Sequence, residues 1–466
     1  MNREKTAWIV SLILISMLAF QLPGSLAHRD DDYAFVKALI DVHRQVSGNY
    51  VDPVDEEKLK LGSVNGMMGE LDPYSIFIPA AKAEEFDNML EGSFKGVGIQ
   101  LSQLENGDIQ VVSPIPDSPA HKAGVLAGDI IVKVNGDDIK GKKIDEVQKM
   151  VKGPLGTEVR LTVKHSDGAE AELKMTRQEI VMPTVMGYRR DSGNNWDYWV
   201  SPSPKIAYVR VTQFTADTFK ELHKSLEKVM GEGMQGLILD LRFNPGGRLD
   251  QAKQVVNLFI NDGVIVVTKG LHRAEEIARA KPEDALPRQF PMIVLVNEHS
   301  ASAAEIVAGS LKDNKRALIM GTRTYGKGSV QEIIPLEPDE GELKLTVAYY
   351  YLPSGRLVHK KKGATDWGVD PHISVPMTDK VEAQVYQEQG EKELFHKPLP
   401  ISTRPTTGPA STRNGATTQP TVDIQLQQAV STITGSIMLH GDQIISSAPT
   451  TQPFNVIVPA TQPVSR

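Results

Sequence analysis

The chain has 466 residues and no cysteine. Disulfides, thiol catalysis and thiolate-held zinc are therefore excluded, and stability has to come from packing. A basic surplus is missing too: 51 Lys and Arg stand against 58 Asp and Glu, a formal charge of -7. Nothing in that balance suits a phosphate backbone or an anionic membrane surface, so nucleic acid is not an expected partner. The 11 histidines include no His-Glu-x-x-His run or other spaced ligand cluster. No metal and no cofactor are expected.

Long hydrophobic runs are confined to the start, "MNREKTAWIVSLILISMLAFQLPGSLA". A basic opening (Arg3, Lys5), an apolar stretch over 7–20 and small residues at Ser25 and Ala27 form the layout of an export signal with a cut after Ala27. The stretch is short of the about 20 apolar residues that a spanning helix needs, and an uncleaved anchor is the second reading. Either way the body is expected outside the cytoplasm, in the periplasm or an equivalent compartment, soluble or membrane-anchored.

The whole chain is 40% apolar, enough for two or three domains with real cores. Residues 28–91 read as a helical region, with Phe35, Leu39, Ile40 and Val42 at helical spacing and a break at "LDPYS", 71–75. Over 92–180 the texture changes to short strands, glycine turns and one helix, "IDEVQKMV". Over 181–380 the strands become continuous apolar runs, "GLILDL" and "MIVLV", alternating with helices. Such runs suit strands buried on both faces of an α/β core. Residues 381–466 are rich in Pro, Thr and Gln and repeat Thr-Thr-Gln-Pro at 417–420 and 450–453. This reads as a disordered tail, with one short helix packed on the body near 422–433.

Three segments can carry chemistry. "GTRTYGKGS", 321–329, nearly matches the phosphate-cradling G-x-x-x-x-G-K-[ST], but Gly328 stands where a hydroxyl should hold magnesium. Alternatively Lys327 moves a proton, which a lysine does only when neutral. Its pKa would then have to fall from about 10.4 toward 7 or 8, roughly 4 kcal/mol of charge destabilisation that an apolar pocket can supply. In "VNEHSASAAEIVAG", 296–309, Ser302 opens a helix, where the next N–H, from Ala303, is free to hold an oxyanion. The plainer alternative is a helix cap completed by Glu305. In "DLRFNPGGRLD", 240–250, the N–H of Gly246 or Gly247 can be a second oxyanion donor, or the segment is an ordinary turn. Gln331, on the strand face of Ser329, either orients the lysine or lies on the surface.

Together with "LDPYS", "FKGVGIQL", "SPAHKAGVLAGDIIVKVNG" and "YYLPSGR", these segments resemble the C-terminal processing peptidases, or tail-specific proteases, over about 33–376. The resemblance implies a multidomain α+β and α/β architecture: an N-terminal helical segment, an inserted PDZ domain at 92–180 and a catalytic core of crotonase-like ββα type. It implies Ser302, not Ser300, as nucleophile, Lys327 as general base, Gln331 as its orienter, and an oxyanion hole of Ala303 with Gly246 or Gly247. It also implies that "GVGI", Gly96, Val97, Gly98 and Ile99, forms a carboxylate loop, with Val97, Ile99, Val147 and Val151 lining a pocket for an apolar terminal side chain. Substrates are then proteins or peptides with apolar C-termini, and the N-terminal helices are a homodimer surface in some members of the family. Lys152, where the family often has arginine, weakens any coupling routed through that position. A catalytically idle peptide-binding scaffold is the alternative function.

Overall fold

The computed structural model describes residues 34–287, 290–337, 340–393 and 422–440. The expected export signal and most of the tail lie outside them. No helix among the described residues is long and apolar enough to cross a membrane.

Two compact units divide at Phe77 and Ile78. In the first, helices cover 34–49 and Glu56–Gly69, the latter capped by the Asp55 carboxylate on the Lys58 N–H. His43 and Ser47 both reach Glu56. The break at "LDPYS" is an Asx turn: Asp72 accepts from the N–H groups of Tyr74 and Ser75.

The second unit takes in the helix Ala80–Glu91, which sequence grouped with the N-terminal region. The reason is local. Gly92 ends that helix at φ +76°, and a Cβ there would stand 2.5 Å from Thr215 of the core. From Gly92 an antiparallel ribbon, Ser93–Gly96 with Gln178–Val181, frames a small β module. Its sheet runs in the order Ile99–Gln103, Ile109–Pro114, Ile130–Val134, Glu158–Lys164, Glu170–Thr176, with the helix Ile144–Val151 packed against it.

The main sheet has parallel strands Lys205–Val211, Gly236–Asp240, Met292–Val296, Leu318–Gly321 and Ile373–Ser374, in that order. Alternate residues divide between its faces. Val209, Leu237, Leu239, Val294 and Ile319 share one core with the helices Thr218–Gly231, Leu249–Phe259 and Ala303–Asp313. Ile206, Tyr208, Ile238, Ile293, Leu295 and Met320 face the other way, against Leu426, Ala429 and Ile433. Those three residues belong to the helix Ile424–His440, which is longer than the one expected near 422–433. The boundary expected at 380 falls inside another helix, Asp379–Glu393, whose Gln389 and Glu393 bond Arg210 of the sheet. A second, antiparallel sheet joins Val264–Gly270 to Arg273–Arg279 and Glu342–Tyr351, and the latter to Ser329–Pro335.

Candidate active site

Ser302 sits where the strand Met292–Val296 turns into the helix Ala303–Asp313, at φ 54° and ψ -116°. That backbone conformation is strained for any residue but glycine, and it persists only because neighbours hold it. The principal neighbour is Glu305, whose Oε2 accepts the Ser302 N–H at 2.9 Å. Ser300 has a different task. It is buried, donates to the Leu241 carbonyl at 2.8 Å and accepts from the Asn297 N–H at 2.9 Å, so its hydroxyl braces the loop from inside.

Glu305 also holds the lysine segment. Its Oε1 accepts from the Thr324 hydroxyl at 2.5 Å and the Gly326 N–H at 2.7 Å; its Oε2 accepts the Lys327 N–H at 2.8 Å. Sequence reasoning saw Glu305 only as a capping residue and missed this role, although a glutamate on the buried face of an apolar helix is a signal in itself. Burial pushes its carboxyl above the usual range, opposed by the four donors. Since every partner donates, the pattern fits the ionised form. Tyr350, also missed, ties the same two segments from the other side, with its hydroxyl 2.7 Å from the Lys327 carbonyl and 3.1 Å from that of Ser302.

The phosphate-loop alternative is overturned here. After Lys327 the chain forms the strand Ser329–Pro335 rather than a helix whose N-terminus could cradle a phosphate. Gly328 is required by packing: a Cβ would stand 2.4 Å from the His359 nitrogen. Gln331 donates to the Ser329 hydroxyl at 2.9 Å and the Thr346 hydroxyl at 3.1 Å, on the strand face expected of it.

Gly246 lies against Ser302, for a Cβ there would be 2.6 Å from the Ser302 Cβ and 2.9 Å from the Ala303 nitrogen. The turn is held by Asn244, whose side chain accepts the Gly246 N–H at 2.8 Å and donates to the Val211 carbonyl at 2.7 Å. With the Gly246 N–H so occupied, the free donor of the pair is Gly247. The N–H groups of Gly247 and Ala303 reach no acceptor among the described residues.

The expected peptide pocket needs correcting. Val97, Val147 and Val151 are all buried in the core of the β module, Val147 and Val151 because the helix turns that face onto the sheet, Val97 from the turn between Ser93–Gly96 and Ile99–Gln103. Ile99 keeps partial exposure, as do Leu101 and Ile144. Gly96 pairs with Gln178 in the ribbon, and Gly98 turns at φ +79° close to Ser118. Lys152 forms an exposed pair with Glu85 at 3.3 Å, of little energetic weight. The firmer tie is Arg177, passed over in the sequence: it donates to the carbonyls of Met150, Val151 and Glu158, fastening the helix end to the ribbon.

Metal-type donors gather at one place among the described residues. Glu298, His299 and Glu382 bring ligand atoms within 4.8 Å of one another; Glu298 and His299 are exposed, and Glu382 accepts from the Asn297 amide.

Comparison with known proteins bears on this geometry. The carboxy-terminal-processing protease of Bartonella bacilliformis is 38% identical over 388 residues, spanning 81% of this chain and 84% of the relative. The chain belongs to this protease family. A model of peptidase family S41 matches residues 205–375, and a PDZ domain model matches 110–165. The carboxy-terminal processing protease CtpA of Bacillus subtilis is 35% identical over 340 residues, spanning 72% of this chain and 68% of that one. Among solved structures, the photosystem II D1 C-terminal processing protease is 27% identical, covers 73% of this chain and 92% of its own, and superposes with a TM-score of 0.42. The chain is thus a serine-type peptidase of family S41 that carries a PDZ domain.

Proposed function

We propose that the protein is an exported endopeptidase that engages protein C-termini through its PDZ domain and hydrolyses nearby peptide bonds with a dyad of Ser302 and Lys327. The observation that carries this reading is the convergence of Ser302 and Lys327 on one carboxylate oxygen of Glu305. In the reaction, neutral Lys327 takes the Ser302 hydroxyl proton as Oγ attacks the substrate carbonyl. The oxyanion rests on the N–H groups of Ala303 and Gly247, with Gly246 keeping side-chain bulk away from them. Collapse breaks the C–N bond, the lysine proton passes to the leaving amine, and water then hydrolyses the acyl-enzyme. Gln331 supports the lysine from its strand.

The core, with helices packed on its parallel sheet and Ser302 at a strand-to-helix turn, supports the crotonase-like ββα assignment. Ile99, Leu101 and Ile144, the partly exposed apolar residues by the module's helix, are the proposed contacts for an apolar terminal side chain. The layout of residues 1–27 supports export, soluble or anchored, and the exposed Phe35, Leu39, Ile40 and Val42 support a homodimer through the N-terminal helices. An idle scaffold is not favoured, since Ser302, Lys327 and Gln331 are all present.

The test uses an unfolded protein ending in apolar residues beside the same protein with a charged, amidated tail. Wild type is expected to cleave the first and spare the second, and Ser302→Ala to cleave neither. Equal cleavage of both tails would remove the PDZ-directed part of the reading.

A further inference from the structure

Arg242 stands four residues before Gly246 and is wholly buried. Its guanidinium has five N–H groups, and every one is engaged. Nε donates to Asp240, and Nη2 is shared between Asp240 at 2.6 Å and Asp423 at 2.8 Å. Nη1 donates to Asp423 and to Gln425, both at 3.0 Å. Asp423 therefore grips the guanidinium bidentately, the geometry in which an arginine is most firmly oriented. Burial alone would raise the Asp423 carboxyl, yet Arg242 draws it below its ordinary value.

Asp423 and Gln425 open the helix Ile424–His440, at the far end of a Pro- and Thr-rich stretch from the core. The helix is seated by Leu426, Ala429 and Ile433 on the sheet face of Ile238, Ile293 and Leu295. Gly236 makes room for it, since a Cβ there would be 2.4 Å from Ile433. Next along the chain from Arg242 come Phe243, held at φ 60°, and Asn244, which fixes the Gly246 N–H. The Asn244 carbonyl also accepts the Ala301 N–H at 2.9 Å, one residue before Ser302.

We propose that the C-terminal helix is a working part of the catalytic core, with Asp423 a positioning residue that sets the oxyanion turn through Arg242. This rests on the reading of 244–247 and Ser302 as the reacting site. Without Asp423 a buried guanidinium loses one of its two carboxylates, and the strand end beneath the turn loses its anchor. Substrate binding through the PDZ domain does not involve these residues, so the loss falls on the chemical step.

The experiment compares full-length wild type, Asp423→Asn, Ile433→Val and Ser302→Ala by kcat, KM and melting temperature, on an unfolded protein with an apolar C-terminus. Asp423→Asn is expected to lower kcat roughly 100-fold, the scale of a misplacement of about 1 Å in a catalytic group, with KM nearly unchanged. Ile433→Val loosens the same helix without touching Arg242; it should lower the melting temperature and keep wild-type kcat. A wild-type kcat in Asp423→Asn overturns the proposal, as does a fall in kcat in both variants that merely follows their melting temperatures. Cleavage by Ser302→Ala would instead sink the reading of the site on which the proposal stands.

Discussion

Ser302 and Lys327, 25 residues apart in the chain, hang by their N–H groups from the same oxygen of Glu305, at 2.9 and 2.8 Å. A buried carboxylate thus sets the spacing of two segments that no secondary structure joins directly. Hydrogen bonds to a charged group are each worth about 1.5–3 kcal/mol, enough to hold Ser302 in its strained conformation.

Glu305→Gln is expected to fold and to lose most activity. The amide keeps the shape but turns an NH2 toward N–H groups, so one of the two segments is released. The loss should approach the roughly 100-fold that a misplacement of about 1 Å brings, measured as kcat/KM. Wild-type activity in the variant would show that the shared carboxylate is incidental.

The pH dependence of stability follows from the same residue. Burial raises the Glu305 carboxyl in the folded state, so that state takes up the proton more readily than the unfolded chain. The associated stability is complete below the unfolded value near 4.5 and is lost as pH rises through the higher folded value. Melting temperatures of wild type and Glu305→Gln, measured across acid to neutral pH, should therefore differ most in favour of wild type at low pH. Activity runs the opposite way, because protonation forces one of four donors off the carboxylate. A gap in melting temperature that widens with rising pH would contradict this sign.

Ser302→Gly separates strain from chemistry. Glycine adopts φ 54° without the penalty of about 1–3 kcal/mol that serine bears there, so this variant should melt higher than wild type while being inactive. Ser300→Ala should do the reverse in kind. It leaves the Leu241 carbonyl and the Asn297 N–H without their buried partner, a cost of about 1–3 kcal/mol in denaturant unfolding.

Gly328→Ser completes the phosphate-loop pattern in sequence and should still bind no nucleotide. Its side chain would meet the His359 backbone at 2.4 Å, so lowered stability is the expected result. Calorimetric titration with ATP and magnesium checks it, and saturable binding would reopen the alternative.

The residues that the proposed mechanism uses were named from the sequence, because what marks them is local spacing. A serine after a buried strand and among alanines, two glycines after Asn-Pro, and a lysine between glycines each suggest a backbone geometry. Contacts between distant segments were not legible. Glu305 satisfies a capping pattern three residues from Ser302, and nothing local tells that Thr324, Gly326 and Lys327 also converge on it. The apolar strands declared two buried faces, and the helix expected on the body near 422–433 covers the second as the longer Ile424–His440; that Asp423 beside it would pair with Arg242 was not legible. Val147 and Val151 were read as groove residues because an apolar helix face reads alike whether it lines a groove or fills a core, and Val97, in a glycine turn, carries no periodicity that tells which way it points.

The central claim, a lysine that takes the serine's proton, is met most directly by a pH–rate profile. kcat/KM would be measured from pH 5 to 9 for wild type, Lys327→Ala and Ser302→Ala, with circular dichroism on each to verify folding. Wild-type activity that climbs as the lysine loses its proton, beside two folded and inert variants, is the expected result. A flat wild-type profile, or cleavage retained by folded Lys327→Ala, would contradict it.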